Sequence, residues 1–264
     1  MPPDLISRGV KQPSPLGSSL FVLLRSLDPV LQYNILAKGL GDPIIRYFGG
    51  TVRPLGPPLT FGSAINVGLS PHRTILVGMA AGCALKQIYW LLGVSEEEFP
   101  VSAAVPVSIY NSLVNSVNSL VFLSTATSSI RAGDEGLSTP LVIGTGLFVS
   151  GILIELISEV QRRDFKRDPR NKGKPYTEGL LGYARHINYL GYTLWRAGIS
   201  WAAGGWKAGL ISGAYIAVDF VNRAIPVLDN YCTSRYGEEW LRYKSRVPYK
   251  FIPGILSSVV HLEP

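Results

Sequence analysis

The chain has 264 residues and a net charge of +7, with 47% hydrophobic but only 16% charged residues, well below the roughly 25% charge of a soluble domain. Long charge-free runs and a mean hydropathy of +0.22 argue against an ordinary soluble globule and for a polytopic membrane protein. Two distant cysteines, Cys83 and Cys232, form no CxxC or Cys/His pattern, which speaks against a disulfide framework or a zinc site.

The first stretch, MPPDLISRGVKQPSP, lacks the basic-then-apolar layout of a cleaved signal peptide. Ser18 to Gly41 is apolar but carries Arg25, Asp28, Pro29 and Lys38, so an interfacial helix or a weak membrane span is expected there. We assign residues 1–73 to this N-terminal segment. Thr74 to Val94 predicts the first firm span. TVRPLGPPL before it and SEEEFP after it read as connections, rich in proline or charge.

From Phe99 to Ile130 no residue carries a charge, which predicts a second span. Within it Asn111, Asn115 and Asn118 follow i, i+4, i+7 spacing and share one helical face. Carboxamides are costly against lipid, so that face serves either interhelical hydrogen bonding or the lining of a substrate cavity. A third span is expected from Thr139 to about Glu159. There Glu155 and Glu159 either pair with Arg162 or Arg163 one turn on, or act on a proton or cofactor. Residues 74–159 are expected to form the membrane helices of a substrate half. Lys86, inside a span, and Asp219, near a helix end, are expected to snorkel, while His72 and His261 read as loop residues.

Arg162, Arg163, Lys166, Arg167, Arg170, Lys172 and Lys174 then form a basic loop against only Asp164 and Asp168. A second basic stretch holds Arg235, Arg242, Lys244, Arg246 and Lys250. Basic clusters beside spans mark cytosolic loops. A helical hairpin at Ile187–Ala203 and Gly205–Val221 separates the two clusters by an even number of crossings. RAGDEG (Arg131–Gly136) then falls on the opposite side. Both clusters are tied to apolar spans, so nucleic acid is not an expected partner. The fold expected is an all-α transmembrane bundle of about five to six spans.

At the mouth of the hairpin stands YARHINYLGYTLW (Tyr183–Trp195), with an arginine, a histidine and an asparagine among aromatic residues. The longer stretch GLLGYARHINYLGYTLW resembles the Arg-His-Pro-Asn-Tyr-x-Gly signature of membrane sterol reductases. CTSRYGEEWLRYKSRVPYKFIPG resembles the Cys-x-x-Lys/Arg-Tyr-Gly-x-x-Trp-x-x-Tyr-x-x-x-Val-Pro-Tyr ending of the same enzymes. QRRDFKRDPRNKGKPYTEG is similar to the basic loop of the DUF1295 branch of the steroid 5α-reductase superfamily. Together these motifs cover Glu155 to Pro253.

The resemblance implies an endoplasmic-reticulum membrane protein that binds NADPH from the cytosolic side through residues 160–264. By correspondence, Arg162 and Lys166 match two phosphate-facing cations, and Tyr176 and Leu181 match positions lining the cofactor. Asn188 and Tyr189 match the Asn-Tyr pair, supported by Arg185 and His186. Cys232, Thr233, Ser234, Arg235 and Tyr236, then Tyr243, match a C-terminal cofactor wall. The implied reaction reduces a double bond in a lipophilic sterol, steroid or terpenoid by hydride transfer and proton delivery. Tyr189, Tyr110 and Glu159 are the candidates for polarising the substrate or supplying the proton. Membrane lipids and a lipophilic small molecule are the expected partners.

The chain departs from the pattern at three places. Ile187 replaces the proline of Arg-His-Pro-Asn-Tyr, Leu228 replaces the first acid of the run before Cys232 (Asp229 keeps the second), and Tyr192 replaces the acid after Asn-Tyr-x-Gly. Two alternatives therefore stand beside a reductase. One is an S-adenosylmethionine-dependent methyltransferase of the isoprenylcysteine carboxyl type, although Glu238 and Glu239 follow Gly237 instead of preceding it. The other is a membrane protein that keeps the fold without redox turnover.

Overall fold

The structure is a computed structural model that describes residues 9–61, 65–66, 68–131 and 136–255. The first eight residues, His261 and most of the Arg131–Gly136 connection lie outside the described residues. Helix α1 (Pro15–Ala37) starts on a proline, whose fixed φ suits a first helical turn. A short α2 (Asp42–Tyr47) follows, and then β1 (Thr60–Phe61) pairs antiparallel with β2 (Ile65–Asn66). Helix α3 (Pro71–Tyr89) also opens on proline, with the Ser70 hydroxyl accepting from the Arg73 amide at 3.4 Å, and it runs on into a π-helical turn at Trp90–Val94. Then come α4 (Val101–Leu123), α5 (Thr139–Arg167) and α6 (Ile187–Asp219). A π-helical turn at Phe220–Ala224 leads into α7 (Ile225–Tyr236), and α8 (Glu238–Arg246) follows the left-handed Gly237 (φ 53°).

The chain is an all-α polytopic membrane protein. Four described helical stretches are long and apolar enough to cross a bilayer: Pro15–Ala37, Pro71–Val94, Thr139–Arg167 and Ile187–Tyr236. Helix α4 has the length but falls short in apolarity, because its serines and asparagines offset its valines and leucines. Gly205, with φ 77° and ψ −172°, breaks α6 in two. A Cβ on Gly213 would stand 3.2 Å from the Ala197 side chain. Those two residues would be about 24 Å apart on a straight helix, so the two halves of α6 fold back as a hairpin.

One compact unit comprises residues 1–146 and 198–209, the other residues 147–197 and 210–264. In the first, α1 packs on α3 and α4. Gly17 lets α1 approach the Phe99 carbonyl, where any side chain would collide, and Phe21, Leu91, Phe99, Ala103 and Ala104 close around that crossing. The polar residues of α1 are not at an interface with solvent: Arg25, Asp28 and Gln32 are each at most 1% exposed. Asp28 accepts from Arg25 at 3.2 Å, from Gln32 at 2.9 Å and from Asn115 at 2.6 Å. Ser116 and Ser119 complete the shell around Gln32. Asn111 accepts from Gln87 at 2.7 Å, whereas Asn118 donates back to its own helix at Val114. The asparagine stripe thus joins helices at two positions, and Asn115 and Asn118 also line a small cavity of about 10 Å³.

Several local expectations need correction. Arg162 to Arg167 are not loop residues but the last turns of α5, which extends well past Glu159. Arginine, lysine and glutamine are good helix formers, so a basic composition does not end a helix. His72 is not in a loop: it lies in the first turn of α3, fully buried, with Nε2 2.8 Å from the Ala202 carbonyl and its ring stacked on Phe122. Lys86 is 8% exposed and does not reach solvent.

Candidate functional site

The residues singled out between Glu155 and Tyr243 all fall in the second unit, whereas Tyr110 stands on α4 in the first, 45% exposed. The site is built on the end of α5, the entrance of α6 and the α7–α8 corner. His186 is the N-cap residue of α6, and its backbone amide donates to the Lys250 carbonyl at 2.9 Å. The Arg185 amide donates to the Tyr249 carbonyl at 3.0 Å, and its guanidinium to the Val247 carbonyl at 2.6 Å. The Val-Pro-Tyr tail is therefore fastened to the α6 entrance through the backbone, which explains why both motifs occur together.

Behind this seam Tyr243, 2% exposed, donates its hydroxyl proton to the Leu181 carbonyl at 2.7 Å. Burial pushes the Tyr243 phenol well above its ordinary range, so it stays a donor. Leu181 packs with Ala184 and Ile187, and Cys232 packs with Trp240, Tyr243 and Val247. Asp229 accepts from the Trp240 indole at 2.8 Å and from Lys244 at 3.2 Å, so this acid pins α8 to α7. Leu181, Cys232 and Tyr243 are thus buried packing residues of this unit.

The cationic part of the site lies at the end of α5. Lys166 donates to the Tyr236 hydroxyl at 2.9 Å, stands 4.6 Å from the centre of that ring, and also bonds the Lys174 carbonyl. Arg162 and Arg235 act electrostatically on the same Tyr236. Tyr176 packs on Phe165, 5.1 Å between ring centres, and Gln161 accepts from the Leu180 amide at 3.0 Å. Thr233, Ser234 and Arg235 are exposed on α7, with the Thr233 hydroxyl bonded back to Asp229.

An aromatic run leads inward from His186. Its ring stacks on Tyr189 (5.6 Å), Tyr189 stacks on Phe220 (4.5 Å), Tyr192 meets Phe220 edge-on (5.4 Å), and Trp195 meets Tyr192 (4.7 Å). Asn188 and Tyr189 are half-buried beside it. Burial, reinforced by the Arg185 cation, lowers the His186 imidazole from 6.5 to about 3, so the ring is neutral. Its Nε2 is buried with no hydrogen-bond partner. Glu155 is occupied by the Trp195 indole at 2.6 Å, and Arg163 pairs with Asp164 at 2.8 Å. Glu159, 6% exposed, lies one turn further along α5.

Two features of this unit are not evident in the sequence. Arg196 is 1% exposed in the first half of α6, donates through Nε to the Tyr192 hydroxyl at 3.2 Å, and stands 4.4 Å from the Trp195 ring centre. The signal available was a lone arginine inside an apolar span, four residues after a tyrosine. Phe220 also escaped, since only folding of the hairpin brings it to Tyr189.

Lysine and arginine side chains beside a phenol suit a polyanionic dinucleotide, which needs cations for its phosphates. His186 Nε2 offers one more buried polar atom to such a ligand. The donor set fits NADPH.

A family model described as "Protein of unknown function (DUF1295)" matches residues 105–247. The chain is 41% identical over 237 residues to "Probable O-methyltransferase ustE" of Ustilaginoidea virens, covering 88% of this chain and 84% of that protein. It is 31% identical over 126 residues to the Delta(14)-sterol reductase of Methylotuvimicrobium alcaliphilum, covering 41% of this chain and 29% of the relative. It is 30% identical over 138 residues to the corresponding reductase of Candida albicans, covering 47% of this chain and 30% of the relative. The chain therefore spans less than a third of the sterol reductases but most of the methyltransferase-named relative.

Proposed function

The chain belongs to the DUF1295 family, and on that footing we propose that it is an NADPH-dependent membrane reductase of a double bond in a lipophilic substrate, a sterol, steroid or terpenoid. The observation that carries this reading is Lys166, bonded to Tyr236 with Arg162 and Arg235 close by. A pyrophosphate and a 2′-phosphate draw on such a cluster. S-adenosylmethionine carries no phosphate and offers such a cluster only its single carboxylate, whereas NADPH offers three phosphate groups.

Arg162, Lys166 and Tyr236 would hold the phosphates, and Asn188, Tyr189 and His186 would face the base-bearing end. The cofactor, when bound, supplies a hydride. The chain's own part is to fix that cofactor, exclude water with the aromatic run, and deliver a proton; Tyr189 and Glu159 lie in the same unit as the cationic cluster. The endoplasmic-reticulum membrane is the compartment this reading assigns.

A second reading, a methyltransferase using S-adenosylmethionine, is favoured by one observation: the 41% identity to a methyltransferase-named relative runs through both units. Thermal unfolding in detergent separates the two. NADPH should raise the midpoint and S-adenosylmethionine should not, and Lys166→Glu should abolish the NADPH effect. Stabilisation by S-adenosylmethionine alone would reject the reductase.

A further inference from the structure

The segment between α1 and the first strand keeps an apolar face exposed. Helix α1 has 23 residues, roughly 34 Å, enough to cross a hydrocarbon core of roughly 30 Å, so its last turn lies at a membrane surface. Lys38 and the left-handed Gly39 (φ 75°) end it, and α2 starts at Asp42. Gly41 sets the start of α2 against the last turn of α4: a Cβ there would stand 2.8 Å from the Leu120 side chain and 3.2 Å from that of Leu123. Helix α2 therefore lies at the depth of two helix ends, where hydrocarbon gives way to headgroups. Its Ile45 is buried, whereas Ile44, Tyr47 and Phe48, at i, i+3, i+4 spacing, share a different face. Tyr47 is 85% exposed and Phe48 80%, and Leu40 just before α2 is exposed as well. The two rings meet edge-on at 5.2 Å. Lys38 and Arg46, both exposed, flank them.

We propose that α2 and its flanks are an interfacial anchor, in which Leu40, Ile44, Tyr47 and Phe48 sink into one phospholipid leaflet while Lys38 and Arg46 reach its phosphates. Depth and composition both point to this occupant. Aromatic side chains collect at the level of the headgroups, where an apolar ring and a polar tip such as the Tyr47 hydroxyl are both accommodated. The Arg46 guanidinium is a fork suited to phosphate oxygens. The apolar surface is also continuous along the chain with one that the bilayer covers, since Leu23, Leu27, Val30 and Leu31 are exposed on the span-length α1. A helix of six residues is not stable by itself; contact with α4 on one face and lipid on the other holds it. The anchor fixes the depth at which α1 and α4 end in the bilayer. It is independent of the reaction and holds for a reductase or a methyltransferase alike.

The test uses the full chain in phosphatidylcholine nanodiscs, with an NBD fluorophore attached to Phe48→Cys. The wild type, whose Cys83 and Cys232 are buried, is the labelling blank. Leu27→Cys, midway along α1, and Glu239→Cys, exposed on α8, give the deep and the aqueous references. Emission at residue 48 should lie to the blue of that at residue 239. A lipid spin label near the headgroup should quench it about twofold more than one deep in the acyl chain, as burial about 5–10 Å into the interface requires. Residue 27 should show the opposite order. With the fluorophore moved to Ile44→Cys, Tyr47→Ser combined with Phe48→Ser should cut the lipid quenching about twofold. Both rings are exposed, so their removal takes little packing from the protein, and a merely structural role predicts no change. Iodide quenching and emission at residue 48 equal to those at residue 239 would overturn the proposal. So would unchanged lipid quenching in the double-serine variant, or a fluorophore shielded from lipid and iodide alike, the mark of a second copy or another protein on this face.

Discussion

His186 ties acid stability to the site. It is 1% exposed and its imidazole is lowered to about 3, mainly by burial and next by Arg185. The unfolded chain, with an ordinary histidine near 6.5, takes up a proton that the folded chain refuses. Stability therefore holds above pH 6.5 and falls as the pH drops from there toward 3, at up to about 1.4 kcal/mol per pH unit. We expect the unfolding midpoint of the wild type to drop between pH 7 and pH 5 by more than that of His186→Asn, measured in the same detergent. Residue identity was readable in the motif, but not this consequence. The ring stacks on Tyr189, and the His186 backbone amide donates to the Lys250 carbonyl, far away in sequence. Tyr192 shows the same limit. Its departure from the sterol-reductase pattern is visible in the sequence, while its partner Arg196 is visible only as a hydrogen bond.

Helices α5 and α6 approach through glycine. A Cβ on Gly191 would stand 2.6 Å from the Glu155 amide, and one on Gly151 would strike the Gly191 carbonyl and the Trp195 amide. Backbone atoms cannot give way as side-chain ends do, so the contact is a small-residue crossing of the kind membrane helices use. Gly191→Ala should cost about 1–3 kcal/mol by forcing the helices apart. Gly146→Ala, where a Cβ meets nothing within 4 Å, should be neutral or stabilising. Thermal midpoints of the two variants check the contrast. The hairpin itself was legible from two apolar stretches divided at Gly205. The true length of α5 was not, because a basic helix end and a basic loop have the same composition.

The whole molecule joins apolar helices that carry buried polar centres. In the first unit Arg25, Asp28, Gln32 and Asn115 satisfy one another, although each alone would oppose membrane insertion. With its charges paired inside, the chain should stay in the membrane pellet after alkaline carbonate washing; release into the supernatant would contradict an integral protein. The sequence by itself determined that the chain is helical and membrane-embedded, and which motifs relate it to sterol reductases, because hydropathy and motif spacing are properties of contiguous residues. Only the tertiary structure decided that Asp28 meets Asn115, that Lys166 meets Tyr236 and that Phe220 closes on Tyr189. Those pairings depend on where one helix crosses another, and a crossing is set by packing between segments tens of residues apart, which no local pattern records.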